Sequence, residues 1–237
     1  MILDGMVSAM DYVPARDYLR GRNIPDPIIQ ELYCGSATDD LDAHVDATLK
    51  IFGEDNTFIK HNIWWLKEGV EVTHGGEYVL AVEPRVYIPY YNTDKELVGM
   101  VTRSLTDYDH EGNRIGGFRY QGINYSEDQL IYNIEKVDTS KTFFVCEGEF
   151  DAMLLPNAVS CPFWKKLPVE WKDNAIIVYD NDDFAISEHD IIGAEEEGWT
   201  VCHWDDRVLE FDDINDMVSG GMEVSDIVKI ILECAGK

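Results

Sequence analysis

The sequence predicts an α/β protein, α+β overall, in which a central parallel sheet flanked by helices follows an N-terminal mixed α/β subdomain. Strand-like and helix-like segments alternate over the C-terminal part of the chain, and such alternation predicts a parallel sheet with helices on its faces. Two strand-like segments, 143–146 and 175–179, are uninterrupted apolar runs, as expected of strands buried on both faces. The earlier residues mix helical spacing with short aromatic and β-branched stretches.

The N-terminal part reads as helices followed by short strands. Apolar residues at helical spacing predict helix over 11–33, interrupted by a turn at 23–27 before a second short helix over 28–32. A Thr-Asp-Asp sequence predicts the start of a helix that runs to about residue 50. Residues 57–83 are aromatic, β-branched and broken by glycines, which predicts short antiparallel strands.

The middle of the chain predicts a hairpin and a loop. Residues 85–91 form the first strand, 92–95 the turn and 96–105 the returning strand, and a polar loop follows over 106–125.

The C-terminal part supplies the parallel sheet and its helices. The predicted strands are 141–146, 158–161, 175–179 and 199–203, and the predicted helices are 149–155, 187–197 and 224–234. These elements divide the chain into an N-terminal subdomain (1–84), a hairpin and basic loop (85–140), a core (141–206) and a C-terminal helical tail (207–237).

Charge limits the class of partner that the protein binds alone. The 237 residues carry 46 acidic and 19 basic side chains, a net charge of −27, whereas a protein that grips nucleic acid alone usually has a basic footprint. Residues 85–140 are nearest to neutral, with nine acids and six bases. We therefore expect any polyanion to lie against that stretch.

The five cysteines are dispersed and form no C-x-x-C pair, which argues against a disulfide framework and a cysteine zinc site. No apolar run is long enough to span a bilayer, and the N-terminus lacks a signal-peptide pattern. We expect a protein of the cytoplasm that has no membrane partner.

Acidic residues follow two of the apolar strands. The first strand leads into residues 147–151 (EGEFD), and the second leads into residues 180–182 (DND). Because ligands bind at the carboxyl ends of parallel strands, we expect Glu147, Asp180 and Asp182 to form one carboxylate cluster. Oxygen ligands without histidine or cysteine favour Mg²⁺ or Mn²⁺, and such a site suits phosphoryl or nucleotidyl transfer. The alternative is a solvated acidic loop.

These segments resemble the TOPRIM signature of primases, topoisomerases and some nucleases. Further segments resemble bacterial-type and phage primases, with 212–218 most similar to the T-even type. The segments that resemble primases are 85–92 (RVYIPYYN) with Gly99 and Arg103, Arg119 with Tyr120, 129–133 (QLIYN) and 212–218 (DDINDMV). Residues 16–29 show a fainter resemblance.

The resemblance implies a DNA primase catalytic domain, a DNA-directed RNA polymerase that copies single-stranded DNA into short RNA primers in phage-type replication. It implies Mg²⁺ (or Mn²⁺), nucleoside triphosphates and a replicative helicase as partners, and the host-cell cytoplasm if the protein is phage-encoded. No zinc-binding module precedes the matched segments, so we expect a separate zinc-containing or basic DNA-binding partner. By the match, Glu147, Asp180 and Asp182 are the catalytic and metal-binding carboxylates.

Six further residues have weaker assignments. Arg103, Arg119 and Lys141 are candidates for binding nucleotide or template, and the alternative for the arginines is pairing with surrounding acids. Asp151 is either an acid supporting the metal site or a helix-start carboxylate. Asp213 and Asp216 either add to the acidic site or cap a helix.

Two other functions are compatible with the sequence. A TOPRIM nuclease would use the same acids for hydrolysis, and the primase-like flank over 85–133 favours synthesis instead. A catalytically inactive acidic scaffold or regulator is supported by the net charge of −27 but not by an intact metal motif.

Overall fold

The computed structural model describes residues 6–34, 72–73, 77–78, 85–105, 120–124, 130–161, 163–181 and 188–237. The chain divides into two compact units. The first unit comprises Met1–Gly21, Asp26–Pro89 and Met100–Ile123, and the second comprises Arg22–Pro25, Tyr90–Gly99 and Asn124–Lys237. The domain boundaries predicted at residues 84, 140 and 206 remain predictions.

The first unit is built on a five-stranded sheet with the order β1-β2-β5-β6-β7. The described elements of this part of the chain are β1 (Val7–Ser8), α1 (Val13–Gly21), α2 (Asp26–Ile29), β2 (Tyr33–Cys34), β3 (Val72–Thr73), β4 (Glu77–Tyr78), β5 (Arg85–Tyr91), β6 (Leu97–Ser104) and β7 (Tyr120–Asn124). The tip of the β5–β6 hairpin, Tyr90–Gly99, belongs to the second unit. Strand β2 pairs antiparallel with both β1 and β5.

The predicted hairpin is confirmed, with its turn at residues 92–96. The Asn92 side-chain Oδ1 accepts hydrogen bonds from the backbone N–H groups of Asp94 (3.0 Å) and Glu96 (2.9 Å). Lys95 occupies the left-handed region, with φ of 65°. An asparagine that hydrogen-bonds to the backbone two residues on is a local turn signal, which is why this turn could be read from sequence.

Two predictions in the first unit are wrong in part. The helix predicted over 11–33 is interrupted at the expected turn, where Asn23 has φ of 59°, but Tyr33 begins a strand rather than ending a helix. The loop predicted over 106–125 contains β7, the edge strand of the sheet. Gly122 and Asn124 give β7 little intrinsic strand preference, so pairing with β6 decides its conformation.

Part of the N-terminal prediction lies outside the described residues. This holds for the helix expected to reach residue 50 and for most of the strands expected over 57–83. The described fragments of that region, β3 and β4, pair antiparallel as predicted.

The second unit contains the predicted parallel sheet flanked by helices. Its strands are β8 (Phe143–Cys146), β9 (Ala158–Ser160), β10 (Ala175–Val178) and β11 (Thr200–Val201), in the order β11-β10-β8-β9. Its helices are α3 (Glu149–Leu154), α4 (Glu188–Glu196), α5 (Ile214–Ser219) and α6 (Val224–Cys234). All three strand pairs are parallel. Helix α3 packs against β8 and β9, and α4 packs against β11.

Burial of the two central strands explains their composition. Every residue of β8 and β10 is buried, so both faces of the sheet require apolar side chains. On one face, Phe143 meets the Trp171 ring edge to face, with 5.1 Å between the ring centroids.

The register of β8 against β10 decides which residues meet where the two strands end. Cys146 is the partner of Val178, so Glu147 and Tyr179 are the next residues at the same edge of the sheet. We call this edge, where β8, β9 and β10 end, the carboxyl edge.

Within the ranges given above, no helix is both long enough and apolar enough to cross a membrane.

Candidate active site at the carboxyl edge of the parallel sheet

Two predicted carboxylates lie at the carboxyl edge. Glu147 follows β8 directly and Asp180 follows β10 after one residue, and both are half-buried. Each charge acts on a different buried neighbour: Glu147 helps to raise the pKa of Tyr179, and Asp180 helps to raise the pKa of Asp151. In both cases burial is the larger cause. Asp182, the third predicted ligand, lies outside the described residues.

Asp151 is a buried acid in the first turn of α3, with 5% of its surface exposed. The backbone N–H of Asn215 donates to its Oδ1 at 3.0 Å. Burial raises its pKa well above the ordinary range, and the charges of Asp213 and Asp180 raise it further. The Asn215 N–H and the charge of Arg22 act in the opposite direction. Asp151 therefore shares one electrostatic environment with Asp180 and Asp213.

The glycine of the EGEFD segment makes room for Asp151. A Cβ added at Gly148 would lie 2.9 Å from the Asp151 Oδ2, closer than real contacts of this kind. The backbone of Gly148 is ordinary extended chain, with φ of −97°, so a side chain is excluded by space and not by conformation. The spacing of glycine and aspartate in this motif thus has a steric reason.

The middle acid of the same segment has a different function. The Tyr90 hydroxyl donates to Glu149 Oε1 at 2.5 Å, and the Tyr90 ring contacts the Tyr132 ring edge to face at 5.8 Å. Burial raises the pKa of Glu149, against the effect of the Tyr90 hydrogen bond. Glu149 therefore holds the end of β5 to the start of α3.

Asn181, the middle residue of the DND segment, is an anchor that the sequence analysis did not assign. Its backbone N–H donates to the Asp212 carbonyl at 2.6 Å, and its side-chain Nδ2 donates to the carbonyls of Val208 (3.1 Å) and Phe211 (3.0 Å). These three bonds hold the chain before α5 against the end of β10. Its position between two acids of a motif was the available signal.

Helix α5 places Asp213 beside this site. Asp213 is its N-cap, and its Oδ1 accepts from the Asp216 backbone N–H at 2.6 Å. Burial raises the pKa of Asp213, and the charge of Asp216 contributes to the rise. Both alternatives for Asp213, a cap and an addition to the acidic site, are therefore compatible with its position. Asp216 itself is exposed.

Arg22 brings a positive charge to the acidic site and was not assigned from sequence. Its Nη1 donates to Asn215 Oδ1 at 3.3 Å, and its carbonyl accepts from Asn215 Nδ2 at 2.5 Å. Its guanidinium lies 5.1 Å from the Phe150 ring centroid, a distance at which a cation is attracted to the ring. Its charge helps to lower the pKa values of Asp151 and Asp213. The only signal was its place in the faint similarity over residues 16–29.

Of the three predicted nucleotide-binding residues, the structure describes Lys141 and Arg103. Lys141 precedes β8, at the opposite end of the strand, and forms an ion pair with Asp138 at 2.6 Å. Arg103 belongs to the first unit and is fully buried, with its guanidinium 5.0 Å from the Tyr120 ring centroid and 5.8 Å from that of Tyr18. Arg119 lies outside the described residues. Their roles remain predictions.

The donor chemistry of the edge fits a hard divalent cation. Glu147 and Asp180 offer carboxylate oxygens only, and Mg²⁺ is usually bound through one or two carboxylates together with water and phosphate oxygens. Among the described residues, no group of three or more His, Cys, Asp or Glu side chains is arranged to hold a metal ion. That search does not cover Asp182.

A mixed α/β chain with a parallel sheet flanked by helices is a known fold class. The chain has the fold of bacterial DNA primase catalytic cores. No protein-family model matches the sequence, and no curated protein matches it.

Three solved structures illustrate the similarity, each 17% identical to this chain. The Aquifex aeolicus primase (zinc-binding and RNA polymerase domains) matches with a TM-score of 0.57 over 92% of this chain and 55% of its own. The E. coli primase catalytic core matches with a TM-score of 0.57 over 93% of this chain and 73% of its own. The DnaG primase catalytic domain bound to single-stranded DNA matches with a TM-score of 0.60 over 98% of this chain and 77% of its own. This chain thus spans about half of the Aquifex chain, and at this identity the similarity shows the fold.

Replacing Gly148 with alanine tests the steric account of the EGEFD segment. Because Asp151 is held by the Asn215 N–H, its carboxylate has little freedom to move away from the new methyl group. We expect Gly148→Ala to lower the free energy of unfolding by about 1–2 kcal/mol, measured by urea denaturation. Gly21→Ala is the matched control, because nothing lies within 4 Å of its added Cβ. Equal stability of the two variants would contradict the account.

Replacing Asp151 with asparagine tests the electrostatic account. Since the pKa of Asp151 is raised in the folded protein, ionising it costs stability as the pH rises from about 4, the ordinary carboxyl range. We expect Asp151→Asn, without divalent cations, to raise the free energy of unfolding at pH 7, because asparagine cannot ionise in this buried position. The gain should disappear below about pH 4. A gain that is independent of pH, or a loss at pH 7, would contradict it.

Proposed function

We propose that the chain is the RNA-polymerase domain of a TOPRIM-type DNA primase, which synthesises short RNA primers on single-stranded DNA. The observation that carries the proposal is the position of Glu147 and Asp180 at the ends of adjacent parallel strands, in a chain with the fold of primase catalytic cores. Some of the similar structures contain single-stranded or double-stranded DNA, which supports a DNA template as the partner.

The proposed chemistry is nucleotidyl transfer, in which a 3′-hydroxyl attacks the α-phosphate of an incoming nucleotide and pyrophosphate leaves. Glu147, Asp180 and Asp182 would hold Mg²⁺. When bound, the ion neutralises charge on the attacking and leaving oxygens.

The chain's own residues would prepare the edge for that chemistry. The Glu147 carboxylate, half-buried at the end of β8, can accept the proton of the attacking hydroxyl. Asp151 shares an electrostatic environment with Asp180 and Asp213, and the charge of Arg22 limits the repulsion among these acids. Asn181 fixes the chain between β10 and α5, so the acids keep their positions when a nucleotide is bound.

The finer assignments belong to the same proposal. Residues 212–218 are most similar to the T-even type, and we propose a phage-type primase that works with a replicative helicase in the host cytoplasm. The net charge of −27 favours a separate basic or zinc-containing partner for holding DNA. Roles for Arg103 and Arg119 in binding nucleotide or template remain part of the proposal.

Primer synthesis on single-stranded DNA, with Mg²⁺ and labelled nucleoside triphosphates and with or without helicase, tests the proposal. We expect Glu147→Gln and Asp180→Asn each to lower the rate of synthesis by about 100-fold or more, while circular dichroism shows the fold intact. Asp173→Asn is the matched control for Asp180, because Asp173 is an exposed acid just before β10 at the opposite edge. Full synthesis by either active-site variant would sink the proposal.

The same acids suit hydrolysis, so a nuclease is the second candidate. Incubating labelled DNA and RNA with Mg²⁺ but without nucleoside triphosphates separates the two functions. Cleavage that depends on Glu147 and Asp180, together with no primer synthesis, would assign the site to hydrolysis. Stable oligonucleotides would exclude the nuclease.

A further inference from the structure

A short basic and aromatic segment leaves the carboxyl edge beside Glu147. The Cys161 backbone N–H donates to the Cys146 carbonyl at 2.9 Å, which extends the pairing of β9 with β8 by one residue. Phe163 is two residues further on. From strand spacing and chain length, its Cα lies within roughly 12 Å of the Glu147 Cα.

The segment has a buried side and an exposed side. Trp164 packs on α4, where its Cζ2 lies 3.4 Å from a Cβ added at Gly193, and Leu167 and Trp171 are buried. Phe163 is 58% exposed, an uncommon exposure for a large aromatic side chain. Lys165 and Lys166 are exposed beside it. Trp164 thus anchors the turn Trp164–Lys166, and Phe163, just before the turn, is exposed to solvent.

The two lysines lie in a region that holds few other cations. Residues 141–237 carry 22 acids and only seven bases. Five of these bases pair with carboxylates within this unit: Lys141, Lys165, Lys172, Arg207 and Lys229.

Lys165 and Lys166 retain charge that a ligand can use. Lys166 has no ion-pair partner in the described part of the chain, and its Nζ lies 4.8 Å from the Phe163 ring centroid. Lys165 lies 3.5 Å from Asp190, between exposed side chains, and such pairs contribute little. Two adjacent cations and an exposed ring therefore stand next to the proposed site of phosphoryl chemistry.

We propose that Phe163, Lys165 and Lys166 form a binding surface for single-stranded nucleic acid beside the carboxyl edge. The lysines contact phosphates, and the Phe163 ring stacks on a base, since aromatic rings between cations bind single strands without sequence preference. This surface differs from the 85–140 stretch that the charge distribution favoured. The inference rests on the proposed function, because a primase must bring single-stranded nucleic acid to this edge. Binding of that nucleic acid can nevertheless be measured without primer synthesis.

Fluorescence anisotropy with labelled 12-nucleotide single-stranded DNA and RNA, in EDTA and over a range of salt concentrations, tests the surface. We expect Phe163→Ala to weaken binding by about 5- to 100-fold. Lys165→Ala with Lys166→Ala should reduce the slope of log affinity against log salt by roughly 1.4, the loss of two phosphate contacts. A larger effect on DNA assigns the surface to the template, and a larger effect on RNA assigns it to the primer.

Matched controls separate this surface from general charge and hydrophobicity. Val13→Ala removes an exposed apolar side chain of α1, and Lys229→Ala with Lys237→Ala removes the same charge from the C-terminal helix and tail. Both should bind within about twofold of wild type, as surface changes away from a site usually do.

Three outcomes would overturn the inference. The first is that the wild-type chain binds neither oligonucleotide. The second is that the Phe163 and lysine variants bind as tightly as the wild-type chain. The third is that the control variants lose as much affinity as the Phe163 and lysine variants. A surface that recruits only a protein partner gives the second outcome. Strand binding that shows the expected pattern without primer synthesis keeps this surface but removes the proposed function.

Discussion

The parallel pairing of β8 with β10 is the constraint on which the rest of the site depends. Cys146 opposite Val178 brings the residues after both strands to one edge, and a slip of one residue would turn each side chain to the other face. Packing of both strands holds this register, because a shift would take core side chains such as Phe143 out of their fitted contacts. The position of Glu147 relative to Asp180 is therefore a consequence of core packing.

Holding several acids together has a cost that the surrounding residues reduce. Burial and like charges raise the pKa values of Asp151 and Asp213. The fold offsets this with the Asn215 N–H, the positive charge of Arg22 and the cap of α5. Asn23 donates to the Ser219 hydroxyl at 3.0 Å and so ties the Arg22 segment to the end of α5. The remaining repulsion is what a divalent cation would relieve.

Local pattern and motif spacing were sufficient to predict the parallel sheet, the hairpin and the placement of Glu147 and Asp180 after adjacent strands. Apolar runs identify buried strands, and their ends define the edge. Contacts between distant segments could not be predicted in this way. Arg22 and Asn215 are 193 residues apart in the chain, and β7 depends on its neighbour in the sheet rather than on its own sequence. The motif drew attention to Asn181. Its three hydrogen bonds, however, depend on how the chain brings residues 208–212 back to the end of β10.

The central claim is that the carboxyl edge binds a divalent cation through Glu147 and Asp180. The most direct measurement is anomalous X-ray scattering from crystals soaked in Mn²⁺, which substitutes for Mg²⁺ at oxygen sites. We expect an anomalous peak about 2–2.6 Å from carboxylate oxygens of both residues, the range for hard cations with oxygen ligands, and its loss in Asp180→Asn crystals. Mn²⁺ bound only elsewhere, or not bound at saturating concentration, would contradict the account.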